Sequence, residues 1–240
     1  MHRKMVTITK KISELDVAQS NVFLSFDDGP DADATPLLLD VLEKYRIKAT
    51  FSLLGVNAER YPELVRSIDQ KGHCIINHGY ADTFSIRMKD EKFKNNIAMG
   101  EAAISASLGH SISQKLYRPH GGFYNAQQEK LCSEAGYAIA PVTVRAFDAA
   151  ATSARRKIVI NKIVKKTVRD SGGIILLHDC RDSYLRKAAN LKRNPNSCFN
   201  RIWIVQVVEE AITALAGRGF IFPDPGVYIK LLRQPIPENS

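Results

Sequence analysis

Ser25-Phe26-Asp27-Asp28-Gly29-Pro30 closes an apolar run, Val22-Phe23-Leu24. Two adjacent carboxylates therefore stand where a short buried strand meets a Gly-Pro turn, and not on a solvated helix face. Successive side chains on an extended segment point in opposite directions, so Asp27 and Asp28 are expected to do different jobs, one holding a cation and the other accepting a proton. Taken alone, such a turn has a plainer explanation, in which the carboxylates satisfy loop amides. The rest of the chain decides between these readings.

Downstream, Thr35-Pro36 reads as an N-cap with proline in the first helical position, and Leu38, Val41, Leu42 and Tyr45 follow at helical spacing. Ala49 to Leu54 and Cys74-Ile75-Ile76 read as strands, with a helix from Tyr61-Pro62 to Gly72 between them. A helix over about 89–108, a strand at Leu116-Tyr117-Arg118, a helix over about 125–135, a strand near Ile139 to Val144 and a helix over about 157–169 continue the alternation. Gly173-Ile174-Ile175-Leu176-Leu177 is short and uniformly apolar, the pattern of an interior strand. A polar loop from His178 to Asn200 leads to the last helix, with Val205, Val208, Ile212 and Leu215 on one face.

This is an α/β chain in which strand and helix alternate about seven times, which predicts a parallel sheet curled into a distorted (β/α) barrel. In such folds the chemistry sits at the C-terminal ends of the strands. Asp27-Asp28, Asn77-His78, Arg118, Asp148 and His178 each follow an apolar strand run, so one mouth of the barrel is expected to collect them.

The 240 residues fit one large domain, and 45% hydrophobic with 25% charged residues is the composition of an ordinary globular protein. The formal net charge of +9 favours an anionic partner, yet Lys162, Lys165, Lys166 and Arg169 fall on the outer face of a predicted helix. No basic motif is interleaved with aromatics, which argues against a nucleic-acid reader. No segment approaches transmembrane length. The opening residues, Met1 to Lys11, carry charge but no apolar core, so localisation stays open between a cytoplasmic protein and a cell-envelope or secreted one whose leader has been removed. Cys74, Cys132, Cys180 and Cys198 form no C-x-x-C pair, which argues against a cysteine zinc site; Cys180 and Cys198 bracket one loop and could pair in an oxidising compartment, but free thiols are expected.

His78 and Asp82, four residues apart, would face the same way if their segment made one helical turn. With Asp28 they form a histidine-plus-two-carboxylate set suited to a divalent metal with open positions. His178, leaving a buried strand, can protonate a departing group near neutral pH, with Asp148 holding its imidazole. Arg118 is expected either to pair with Asp27 or to make a structural ion pair at the barrel rim.

These motifs, namely Ser25-Phe26-Asp27-Asp28-Gly29-Pro30, Asn77-His78, Arg118-Pro119 with Gly122 and Tyr124-Asn125, Asp148, and Leu176-Leu177-His178-Asp179, occur in the order seen in NodB-type polysaccharide deacetylases, carbohydrate esterase family 4. The chain resembles that family from about Val22 to Phe222, which implies a NodB-like catalytic domain over 21–232, an N-terminal extension over 1–20 and a tail over 233–240. The resemblance implies a metal-dependent hydrolase that removes N-acetyl groups from N-acetylglucosamine units of a chitin-type or peptidoglycan-type glycan. It implies Asp27 as the catalytic base, Arg118 as the residue that orients it, His178 as the general acid and Asp148 as its partner. Asp28 and His78 would ligate the metal, the Gly121 backbone N–H would hold the oxyanion, and Leu176 would wall the acetyl methyl pocket.

The sequence departs from the family pattern in its second, third and fourth motifs. The family's second metal histidine is Asp82 here, which makes Asp82 the expected third ligand. The resemblance implies a divalent metal, commonly Zn²⁺; the added negative charge weakens the Lewis acid and tilts preference toward harder cations, which admits Co²⁺ or Mn²⁺ in its place. His120-Gly121-Gly122 stands where Pro-Tyr-Gly is usual, opening the groove wall and bringing a histidine within reach of sugar or metal. Arg145-Ala146-Phe147-Asp148-Ala149 replaces an Asp-x-x-Asp-Trp pattern, so an apolar lid is lost and a cation stands where an acid is expected. These departures keep two alternatives open, a carbohydrate-binding protein on the same barrel without turnover and an O-acetyl esterase.

Overall fold

A computed structural model of the chain describes residues 5–10, 18–181, 194 and 197–232. Its centre is a pair of buried strands, β2 (Val22–Asp27) and β9 (Gly173–His178), which run parallel in full register, Val22 opposite Gly173 and Asp27 opposite His178. The other strands are β1 (Met5–Thr7), β3 (Thr50–Leu53), β4 (Cys74–Asn77), β5 (Leu116–Tyr117), β6 (Phe123–Asn125), β7 (Ala138–Ile139) and β8 (Val144–Arg145). Seven of them form one sheet in the order β7-β5-β4-β3-β2-β9-β8, every described pair parallel. The sheet curls but does not close, because β7 and β8 are both edges.

The helices are α1 (Ala34–Lys44), α2 (Gly55–Arg60), α3 (Pro62–Gln70), α4 (Asp90–Leu108), α5 (Ala126–Glu134), α6 (Arg156–Arg169), α7 (Trp203–Ala216) and α8 (Gly226–Leu232). Strand alternation divides the core into two layers. Val22, Leu24 and Phe26, with Ile175 and Leu177, pack against helix residues such as Leu38, Leu42, Val207 and Ile212. Phe23, Ile174 and Leu176 face the inside of the curl, where Ile8, Tyr228 and Ile229 fill the space. Each such fully buried side chain contributes about 1.5–3 kcal/mol, so both faces of β2 and β9 anchor the rim that they carry.

Register brings the strand ends level. Asp27 lies opposite both His178 and Ser52, Leu53 opposite Asn77, and Asn77 opposite Tyr117. His78 and Arg118, each one residue beyond its strand, therefore leave the sheet at the same edge as Asp27.

Three features differ from the sequence reading. The predicted strand over 139–144 is two strands on opposite edges of the sheet, because Pro141 interrupts it and cannot donate to a ladder. Helix α1 begins at Ala34; Thr35 does not cap it, and its hydroxyl accepts from the Asp31 N–H at 2.8 Å and donates to Asp179 at 2.5 Å. Residues expected in an extension are built into the barrel: β1 pairs antiparallel with β6, Thr9 bridges Val142, and Ile8 is 1% exposed. Cys74, Cys132, Cys180 and Cys198 form no disulfide with one another. Among the described residues, no helix is long and apolar enough to cross a membrane.

Candidate active site

The level strand ends border a cleft of about 300 Å³ lined by Asp27, Asp28, His78, His120, Leu176 and His178, among others. Asp27 is the last residue of β2, and Arg118 Nη1 donates to its Oδ1 at 2.6 Å and to Ser25 Oγ at 2.5 Å. The expected pairing of Arg118 with Asp27 is thus present, and Arg118 is fully buried. Asp28 does not point away from its neighbour. Its backbone turns left-handed, φ 74°, which ends the strand alternation and brings both carboxylates toward one imidazole: His78 Nε2 is 3.9 Å from Asp27 Oδ2 and 3.2 Å from Asp28 Oδ1.

Asp28, His78 and His120 converge, one ligand atom from each lying within 4.8 Å of the others, and all three residues are buried. Both rings are held from behind. His78 Nδ1 donates to the Arg118 carbonyl at 2.6 Å, and His120 Nε2 lies 2.6 Å from Asp82 Oδ1, so the remaining nitrogens turn lone pairs to the cluster. Asp28 Oδ1 and His120 Nδ1 are buried with no aligned hydrogen-bond partner. A carboxylate oxygen and an imidazole nitrogen left without partners beside a second imidazole are costly when bare, and a divalent cation among the three residues would satisfy them. Burial alone would raise the Asp28 carboxyl, but His78, His178 and His120 outweigh it and hold it well below the usual range. Burial lowers the His120 imidazole, but Asp82 and Asp28 more than offset this and raise it above an ordinary histidine.

Asp82, expected as a ligand, therefore stands behind His120. The segment after His78 makes no helical turn: Gly79 is left-handed, φ 88°, and residues 80–82 run through bends, so positions 78 and 82 do not share a face. The histidine of the third motif occupies the place expected for Asp82.

On the other side of the cleft, His178 Nδ1 donates to Asp148 Oδ1 at 3.0 Å, and the His178 N–H donates to Asp148 Oδ2 at 2.9 Å. Burial lowers the His178 pKa, yet the Asp148 charge and hydrogen bond prevail and raise it above the ordinary value. Sequence reasoning missed Arg201, which follows a polar stretch with no periodicity to mark it; the loop expected from His178 to Asn200 lies largely outside the described residues. Fully buried, its Nη2 pairs with Asp148 Oδ2, while its Nε donates to the His178 carbonyl at 3.0 Å. The same guanidinium thus holds both Asp148 and the end of β9.

Gly121 lines the cleft with φ 83°, and an added Cβ would lie 2.3 Å from Phe84 Cδ1, so only glycine fits there. Leu176 lines it from β9, opposite Arg145 of β8. Arg145 also borders the cleft, its guanidinium 5.9 Å from the Phe123 ring centre and 5.6 Å from that of Phe147.

A family profile described as polysaccharide deacetylase matches residues 15–140. A peptidoglycan-N-acetylglucosamine deacetylase of Bacillus cereus is 33% identical over 158 residues, 66% of this chain and 72% of that protein. A second one from that organism is 32% identical over 168 residues, and there the match spans 59% of the relative's length. A chitooligosaccharide deacetylase of Bradyrhizobium is 29% identical over 209 residues, 87% of this chain and 90% of its own. A solved peptidoglycan N-acetylglucosamine deacetylase superposes with a TM-score of 0.72 at 27% identity, covering 88% of this chain and 89% of that one. The curled sheet, the cleft at its strand ends and these matches agree: the chain belongs to the NodB-type polysaccharide deacetylases, carbohydrate esterase family 4.

Proposed function

We propose that the protein removes N-acetyl groups from N-acetylglucosamine units of a peptidoglycan-type or chitooligosaccharide-type glycan, with a divalent cation held by Asp28, His78 and His120. One observation carries this reading. The Asp28–His78–His120 cluster shares one cleft with a buried carboxylate fixed by arginine, Asp27 with Arg118, and an imidazole fixed by a carboxylate, His178 with Asp148. Two imidazoles and one carboxylate suit Zn²⁺ better than the two-carboxylate set expected from the sequence, which removes the reason to favour a harder cation.

When bound, the cation supplies Lewis acidity to the acetamide carbonyl and acidifies water. Asp27 accepts the proton of the attacking water, and Arg118, itself anchored on Ser25 Oγ, holds one oxygen of its carboxylate so that the other faces the cleft. His178, protonated on the nitrogen not bound to Asp148, donates to the departing amine. Leu176 supplies an apolar wall for the acetyl methyl, and the Gly121 N–H a donor for the developing oxyanion. A binding protein without turnover would not need both a base and an acid, and the buried Asp27–Arg118 and His178–Asp148 pairs support turnover over binding alone.

The test is acetate release from chitooligosaccharides and peptidoglycan fragments, first after chelation and then with Zn²⁺, Co²⁺ or Mn²⁺ returned. The reading expects metal-restored release that Asp27→Asn lacks. No release above that control, with any of these glycans and metals, overturns it.

A further inference from the structure

The acids at the cleft are already balanced. Asp27 is paired with Arg118, Asp148 with Arg201 and His178, and Asp82 with His120, while Asp28 belongs to the cation cluster. Two cations lining the same cleft are left over, Arg145 and Arg181, and neither has an acidic partner among the described residues. Arg181 Nε is buried without a hydrogen bond.

Arg145 is held where it stands. Its guanidinium lies between Phe123 and Phe147, and against the backbone of Gly122, where an added Cβ would come 3.2 Å from Nη1. The two family departures therefore touch in space: the glycines of the third motif make room for the arginine of the fourth. Phe147 is 67% exposed at the rim, with Lys162 Nζ 5.6 Å from its ring centre, so the same wall offers an apolar face for a sugar ring and further positive charge. A planar guanidinium with free N–H donors matches carboxylate and phosphate groups in bidentate fashion.

We propose that Arg145, supported by Arg181, determines specificity for an N-acetylated glycan that carries an anionic substituent, a carboxylate or a phosphate, on the sugar beside the one being deacetylated. This rests on the deacetylase reading above. Arg145 acts on substrate binding at the rim, away from the carboxylates of the cleft floor.

Three N-acetylglucosamine oligomers of equal length serve as the probe: one neutral, one with carboxylate-bearing neighbouring sugars and one with phosphate-bearing neighbours. The inference expects kcat/KM for at least one anionic oligomer to exceed the neutral value by about tenfold or more, mainly through KM. That ratio falls as salt rises from roughly 0.05 to 0.5 M. R145Q lowers it and R145K recovers part of it, and the better anionic arm identifies the substituent. Calorimetric binding of the same oligomers to the Zn²⁺-loaded Asp27→Asn protein makes the comparison without turnover. A ratio near one, indifferent to salt and to R145Q, overturns the inference while acetate release still supports the deacetylase. Absence of acetate from every oligomer overturns the deacetylase, and equal binding of charged and neutral oligomers then overturns the inference as well.

Discussion

Asp82 Oδ1 lies 2.6 Å from Nε2 of His120, while Nδ1 of the same ring lies 3.5 Å from Asp28 Oδ1. A carboxylate behind an imidazole fixes the tautomer and raises the basicity of the nitrogen that faces a cation. On the proposed reading, the metal-binding role of a histidine four residues after His78 is thus divided in this chain. The third motif supplies the ring, and position 82 supplies its support.

His120→Ala should weaken Zn²⁺ binding by about 100-fold or more, and Asp82→Asn by about tenfold, because one removes a ligand and the other only its orientation. Protons compete with the metal for His120, and Asp82 and Asp28 raise its pKa. Affinity should therefore fall as pH drops, and in Asp82→Asn that fall should move to lower pH. Calorimetric titration over a pH series checks both; a larger loss in Asp82→Asn than in His120→Ala would restore Asp82 as the ligand.

The raised pKa of His178 keeps its imidazolium charged to higher pH than a free histidine of about 6.5. The alkaline limb of the kcat–pH profile should lie above that value. Asp148→Asn removes the main charge that raises it, so the limb should move down and kcat should fall by about 10²- to 10⁴-fold. A profile unchanged in position would mean that a different group supplies the proton.

Arg201→Ala would leave Asp148 buried without its strongest ion pair and unsupported at its backbone carbonyl, to which Arg201 Nη1 donates at 3.1 Å. Breaking such a buried pair costs about 3–5 kcal/mol, measurable as a lower urea midpoint. A loss under about 1 kcal/mol would show that the pair is dispensable for the fold.

Asp179 gives a stability change with the opposite pH sign from a paired carboxylate. Burial, against an opposing hydrogen bond from Thr35, lifts its carboxyl from 3.8 to about 7. The folded protein therefore keeps a proton that the unfolded chain has released, and the group costs stability increasingly as pH rises through that window. Asp179→Asn, neutral and of the same shape, should stabilise the metal-free protein by about 2 kcal/mol or more near pH 8 and by little near pH 4. Equal effects at the two pH values would contradict the assignment.

What was legible in the sequence follows from what local patterns carry. The common rim of Asp27, His78, Arg118 and His178 is legible because each stands at or just after the end of a strand whose apolar run marks that end, and parallel register then levels those ends. The position of Asp82 is not legible, because the left-handed Gly79 prevents the helical turn that would set it beside His78. His120 stood out in the third motif as an added histidine, but its contact with Asp82 joins two separate loops, and nothing in the local pattern of either announces the other. Arg201 is harder still: a lone cation before a helix, whose partners lie at the ends of β8 and β9. Pro141 was visible and should have divided its strand, and alternation around Ile8 could have marked the start of the chain as part of the barrel.

Anomalous scattering from crystals of the Zn²⁺-loaded protein, recorded on both sides of the zinc edge, tests the altered site most directly. A single peak should fall between Asp28, His78 and His120, at about 2.0–2.2 Å from one oxygen and two nitrogens, with Asp82 on the far side of the His120 ring. A peak bonded to Asp82 instead of His120, or none at the cleft, would contradict it.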